Sequence, residues 1–191
     1  MILPIIAFGD PVLRKMGEEI TPEYPGLKSL VDNMFETMYK ARGVGLAAPQ
    51  VGLAIRLFIV DSKQISHEDD DRKPKEEKGI KEVFINPIIE EEWDVEKDFE
   101  EGCLSIPGIR GDVSRKSKLK IRYFDINFKE QVKEFDNFTA RVIQHEYDHI
   151  EGKMFVDRLK PLKKQLIRNR LNDITLGKVD VDYRMKFPKR K

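Results

Sequence analysis

Apolar residues recur at three- and four-residue steps early in the chain. Leu27, Leu30, Val31, Met34, Phe35, Met38 and Ala41 form one stripe. That period predicts an amphipathic helix over 24–42, ended by Gly43. Its methionines read as core filler. Before it, residues 1–14 read as an extended lead-in with a turn at Asp10-Pro11. The unbroken run 55–60 predicts a buried strand, and 82–89 a second, with Pro87 favouring an edge or an end. Residues 90–101 are acidic around Trp93 and read as solvated strand or turn. Alternation returns over 118–126 and 131–135, which predicts a hairpin around 127–130. Residues 137–149 contain no Pro or Gly and suit a buried helix, with Asp136 or Asn137 as N-cap and Gly152 as stop. A basic last helix is predicted over 161–176. No internal repeat appears.

The pattern implies an α+β fold, with strands from 55–60, 82–89, 95–103 and 118–135. Two stretches stand apart. The loop 61–79 is so charged, with His67 inside it, that it cannot bury apolar area and is expected on the surface. Residues 176–191 are expected to be a basic, flexible tail. This leaves residues 1–175 as a single domain.

Composition narrows the function classes. The chain has 191 residues and 36% charged residues, yet a formal net charge of only +1. Nothing global points to DNA. One Cys excludes an intrachain disulfide and suits a reducing compartment. The N-terminal segment lacks a basic region and is broken by Pro4, so it fails as a signal peptide. No apolar run reaches membrane-span length. The expectation is a soluble, cytoplasmic protein without a membrane partner, and a monomer.

Candidate chemistry concentrates in Gln144-His145-Glu146-Tyr147-Asp148-His149, which contains HExxH. Residues four apart share a helix face, so His145 and His149 can grip one metal ion. Glu146 can then reach a water on that metal. The chain has three histidines and two are here. A second stretch, 43–52, is rich in small residues and lets backbone lie close to something else. Gln50 is its strong polar handle. It also reads as a plain helix-to-strand connection. The only Cys lies in Glu101-Gly102-Cys103-Leu104-Ser105. A lone Cys is commonly a small buried hydrophobe, but two His ligands lack a third, and a thiolate suits zinc or ferrous iron.

Together, Gly43-Val44-Gly45-Leu46-Ala47-Ala48-Pro49-Gln50, the Cys103 segment and the HExxH segment resemble the three signature motifs of the peptide deformylases, in the same order. The lead-in Gly9-Asp10-Pro11-Val12-Leu13-Arg14 is also similar. The resemblance implies removal of the N-formyl group from the formyl-methionine of nascent chains, with release of formate. It implies Cys103, His145 and His149 as ligands of ferrous iron (Fe2+), for which Zn2+ or Ni2+ can substitute. It implies Glu146 as the proton-handling group, and Gln50 and the Leu104 N–H as donors to the developing oxyanion. Val44, Gly45, Arg141 and Val142 would bind the substrate, and an ion pair between Glu101 and Arg110 would hold the Cys103 loop. Antiparallel strands would wrap around a central helix carrying HExxH. The basic last helix, with Lys163, Lys164, Arg168 and Arg170, would offer a transient ribosome contact, or simply a solvated face.

Two other readings share these residues. A zinc peptidase uses HExxH as well, but Phe155 stands where one large class has its third His. A structural metal domain would need Asp148 or Glu151 as a fourth ligand. It leaves Gln50 and the glycine stretch unexplained.

Overall fold

The computed structural model describes residues 1–64 and 79–189. Helix α1 (Leu27–Lys40) forms where the apolar stripe predicted one, with Val31, Met34 and Met38 buried. It ends at Ala41, and Arg42 then takes a left-handed φ of 57°. The chain turns back at Gly43 into β2 (Gly45–Ala47), which pairs antiparallel with β3 (Leu57–Asp61). These strands continue into an antiparallel sheet of order β2-β3-β4-β5-β6, with β4 at Lys81–Cys103, β5 at Ile106–Phe124 and β6 at Glu130–Asp136.

The two strands expected at 82–89 and 95–103 are one long strand, β4. Its acidic middle keeps strand geometry because β5 lays basic residues across from it. Glu90 meets Lys120 and Arg122, Asp94 meets Lys118, and Glu96 meets Lys116. Opposite charges on facing strands stabilise such a ribbon without a buried face. Register shifts between Ile85 and Ile88, Ile89 and Glu91, and Trp93 and Glu96 bend the ribbon. Likewise β5 starts at Ile106 rather than near 118, paired to β4 through Cys103↔Ile106 across the Leu104-Ser105 turn.

Helix α2 (Asn137–Ile150) packs against β2, β3, β5 and β6. Only Asn137, Phe138 and Tyr147 of its residues escape full burial. Gly152 follows with φ of 70°, and a Cβ there would lie 2.7 Å from the Arg14 carbonyl oxygen. Only glycine tolerates both conditions. Helix α3 (Pro161–Thr175) comes next and buries Ile167 and Ile174.

The tail is not loose within the described residues. Strand β7 (Met185–Lys186) pairs in parallel with β1 (Ile5–Ile6), and Ile5 N–H donates to the Arg184 carbonyl at 2.8 Å. Val179, Met185 and Phe187 pack on the core formed by Ile6, Leu13, Ile109 and Leu159. The reason is visible in the residues: Val179, Val181, Tyr183, Met185 and Phe187 alternate with charged positions, a strand pattern. Of the charged loop 61–79, residues 65–78 with His67 lie outside the described residues. No helix among the described residues is long and apolar enough to cross a membrane.

Candidate active site

The first turn of α2 is spent on packing, and its last two turns carry the chemistry. His145 and His149 project from one face, their ring centroids 5.0 Å apart. Cys103, at the end of β4, meets them: its Sγ lies 3.3 Å from His149 Nε2. One ligand atom from each of Cys103, His145 and His149 lies within 4.8 Å of the others. One thiolate and two imidazoles are the donor set of a borderline-soft divalent ion.

The surroundings fit such an ion. Glu101 Oε2 lies 2.9 Å from His145 Nδ1, which orients the ring and leaves Nε2 with its lone pair. Burial alone would lower the His145 pKa, but Cys103 and Glu101 raise it well above the ordinary value. Burial holds His149 well below the ordinary value, so its imidazole is neutral and able to ligate. Its Nδ1 has no hydrogen-bond partner.

Glu146 is buried beside these groups, and its Oε2 is also without a partner. Burial pushes its carboxyl up to about 7. It faces Gly45 of β2, where a Cβ would sit 2.4 Å from Glu146 Oε1. The absence of a side chain at 45 is what lets the strand and the carboxylate meet. Gln50 follows in a single 3-10 turn, Ala48–Val51, and is 2% exposed. Its Oε1 accepts from the Ala47 N–H at 2.9 Å. That bond fixes which way the amide points. Nε2 is thereby turned to Cys103 Sγ and Ser105 Oγ, each at 3.4 Å.

A cavity of about 730 Å³ opens over these residues. Every residue singled out for substrate contact lines it: Val44, Gly45, Arg141 and Val142, together with Gln50 and Leu104. The Arg141 guanidinium is taken by Glu101 Oε1 at 2.9 Å and by the carbonyls of Val113 and Lys97. Phe155, at the position of the missing third His, is buried with its ring stacked on His145 at 6.2 Å.

The expected pair of Glu101 with Arg110 does not form. Arg110 is exposed and joins Glu100 at 2.8 Å. Glu101 is held instead by Arg115, with Nε at 2.6 Å and Nη2 at 3.0 Å. Arg115 Nη1 also reaches Asp148 at 2.8 Å, and Asp148 takes Arg158. The physical reason is parity: along β5, odd positions from Ile109 to Tyr123 face inward and even ones outward. Burial would raise the Glu101 pKa, but His145 and Arg115 hold it well below the carboxylate range.

Two contributors were missed from the residues alone. Arg115 was legible from the alternation just described. Tyr183 was hidden by treating the tail as unstructured, although it stands in a strand-like alternation. Its hydroxyl donates to the Leu104 carbonyl at 2.7 Å, and it lines the cavity.

An antiparallel sheet packed on an HExxH helix, with a cysteine sulfur brought to the two histidines, is the arrangement of a metal-dependent hydrolase. Comparison narrows the class. Residues 2–165 match the family model described as polypeptide deformylase. The chain is 53% identical over 191 residues to the peptide deformylase of Cytophaga hutchinsonii, covering 100% of each. It is 54% identical to that of Flavobacterium johnsoniae, covering 98% of this chain and 96% of the relative. A solved peptide deformylase from Plasmodium falciparum is similar at a TM-score of 0.79 and 35% identity, covering 91% of this chain and 95% of that one. The chain belongs to the peptide deformylase family, enzymes that remove N-formyl groups from nascent peptides.

Proposed function

We propose that the chain hydrolyses the N-formyl group of N-terminal formyl-methionine, using Cys103, His145 and His149 to hold one ferrous ion, with zinc or nickel as substitutes. The single observation that carries this assignment is the meeting of the three donor atoms within 4.8 Å beside a buried carboxylate. When bound, such an ion acidifies a water and polarises a carbonyl.

The chain's own groups then have separable tasks. Glu146, with its carboxyl up to about 7, can take a proton from water and return it to the departing amine near neutral pH. Gln50, its acceptor oxygen already engaged by Ala47, has only N–H to offer the cavity. Together with the Leu104 N–H it would donate to the oxygen of the formyl group as charge builds there. One such donor is worth on the order of 3 kcal/mol of barrier. The edge of β2 at Gly45 would pair with the peptide as an added strand, and Val44, Val142 and the Arg141 stem would receive the methionine side chain.

In this reading α2 is the central element, and the strands wrap around it; the burial of most of its faces supports that view. The catalytic domain extends past residue 175 to take in the packed tail. Contact of α3 with the ribosome, through Lys163, Lys164, Arg168 and Arg170, is part of the same proposal and would be lost on reversing those charges.

The test is formate release from a formyl-methionyl peptide, anaerobically with ferrous iron, for wild type beside Glu146→Ala. Turnover by wild type, with a metal-loaded but inactive variant, supports the assignment. A folded, metal-loaded wild type that releases no formate overturns it.

A further inference from the structure

The reaction as assigned uses the backbone of Leu104 but does not say what holds Leu104 still. It sits in the two-residue turn between β4 and β5, one position after a candidate metal ligand. The Gly102–Cys103 step beside it is a register shift, so ladder pairing is irregular there. Its side chain touches Gly43, where a Cβ would lie 2.8 Å from Leu104 Cδ1. The Leu104 carbonyl is satisfied from outside the sheet, by the Tyr183 hydroxyl at 2.7 Å.

Tyr183 is itself firmly placed. Two residues on, β7 pairs with β1, and Ala7 N–H donates to the Lys186 carbonyl at 2.9 Å. On the other side, half-buried Val179 packs against the core. Between these anchors, residues 180–183 form one wall of the cavity. Asp182 reaches across to Arg42 at 2.8 Å, next to the Gly43–Gly45 edge. The tail thus joins the two sides between which the substrate would lie.

We propose that Tyr183 is a positioning residue for deformylation: its hydroxyl, bonded to the Leu104 carbonyl, fixes the turn that presents the Leu104 N–H. The inference rests on the reading of Leu104 as an oxyanion donor. It locates part of the catalytic arrangement in the C-terminal segment, beyond the residues 2–165 matched by the family model.

Tyr183→Phe removes the hydroxyl and leaves the ring. In the metal-loaded enzyme we expect kcat for a formyl-methionyl peptide to fall about 3- to 10-fold, the scale of one hydrogen bond, with KM within twofold. Amide hydrogen exchange at Leu104 and Ser105 should speed up, with an unchanged melting temperature as the fold control. Unchanged kcat, or lowered kcat with unchanged exchange, overturns the inference. So does a rise in KM alone, which would make Tyr183 a substrate contact. If wild type itself releases no formate, the assigned reaction fails. The exchange rates then still decide whether Tyr183 holds the Leu104 turn.

Discussion

Glu101 Oε2 stands 2.9 Å from His145 Nδ1, while both of its oxygens are also bound by Arg115. One buried carboxylate therefore orients the imidazole of a candidate metal ligand and neutralises a guanidinium. Replacing it by an amide keeps the shape and loses the charge. Glu101→Gln is expected to weaken metal binding about 10- to 100-fold. Competition with a chelator measures this, and an affinity equal to wild type would refute the role given to Glu101.

Arg115 and Arg110 make a discriminating pair. Arg115→Ala removes the one guanidinium shared by buried Glu101 and Asp148, leaving them only Arg141 and Arg158, and should cost up to about 3–5 kcal/mol. Arg110→Ala removes an exposed ion pair and should cost under about 1 kcal/mol. Urea unfolding of both variants checks the order. Equal losses would mean that the inward face of β5 is misassigned.

Much of this was readable beforehand, and the failures have a common cause. The HExxH helix was legible because a helix sets its own i, i+4 geometry, so no distant information was needed to bring His145 and His149 together. The partner of Glu101 depends on strand parity. Choosing Arg110 ignored that Ile109, Val113, Leu119 and Ile121 put even positions outside. The unbroken length of β4 was hidden because its acidic middle has no apolar face. Its support comes from Lys116, Lys118, Lys120 and Arg122 on another strand. For the tail, read as flexible because chain ends commonly are, the alternation of Val179, Tyr183, Met185 and Phe187 carried a strand signal. The orientation of the Gln50 amide was beyond reach, since it depends on the Ala47 N–H in a folded turn.

Gly45→Ala should damage the site from the strand side. The new methyl group would fall 2.4 Å from Glu146 Oε1 and 2.7 Å from its Cγ. Overpacking of this kind costs about 1–3 kcal/mol. We expect formate release to fall by about tenfold or more, because the carboxylate must move to relieve the clash. Steady-state kinetics alongside thermal melting test this; wild-type kinetics would show that Glu146 is not confined there.

Acid stability should depend on Arg14. Burial raises the Asp157 pKa, but the Arg14 guanidinium and the Met154 N–H outweigh it and hold the carboxyl below its ordinary value. A depressed folded pKa contributes stability above the unfolded value near 3.9. That contribution disappears as pH falls through the lower folded value. Arg14→Ala should therefore shift the acid unfolding midpoint upward. The pair is about 40% exposed, so the loss should stay under roughly 1 kcal/mol at neutral pH. Circular dichroism between neutral pH and pH 2 reads it; an unmoved midpoint would count against the pairing.

Metal removal should lower the melting temperature, since an ion that binds only the folded site stabilises it by about 2.7 kcal/mol at a hundredfold excess over Kd. Cys103→Ala should shrink the difference between loaded and stripped protein. A difference as large as in wild type would remove Cys103 from the ligand set.

The parallel pairing of β1 with β7 joins positions at nearly opposite ends of the chain. The HExxH helix needs only local contacts to bring its two histidines together, whereas the wall bearing Tyr183 is anchored by a pairing of very high sequence separation. Cutting that pairing would leave the candidate metal ligands in place while removing the brace at Leu104.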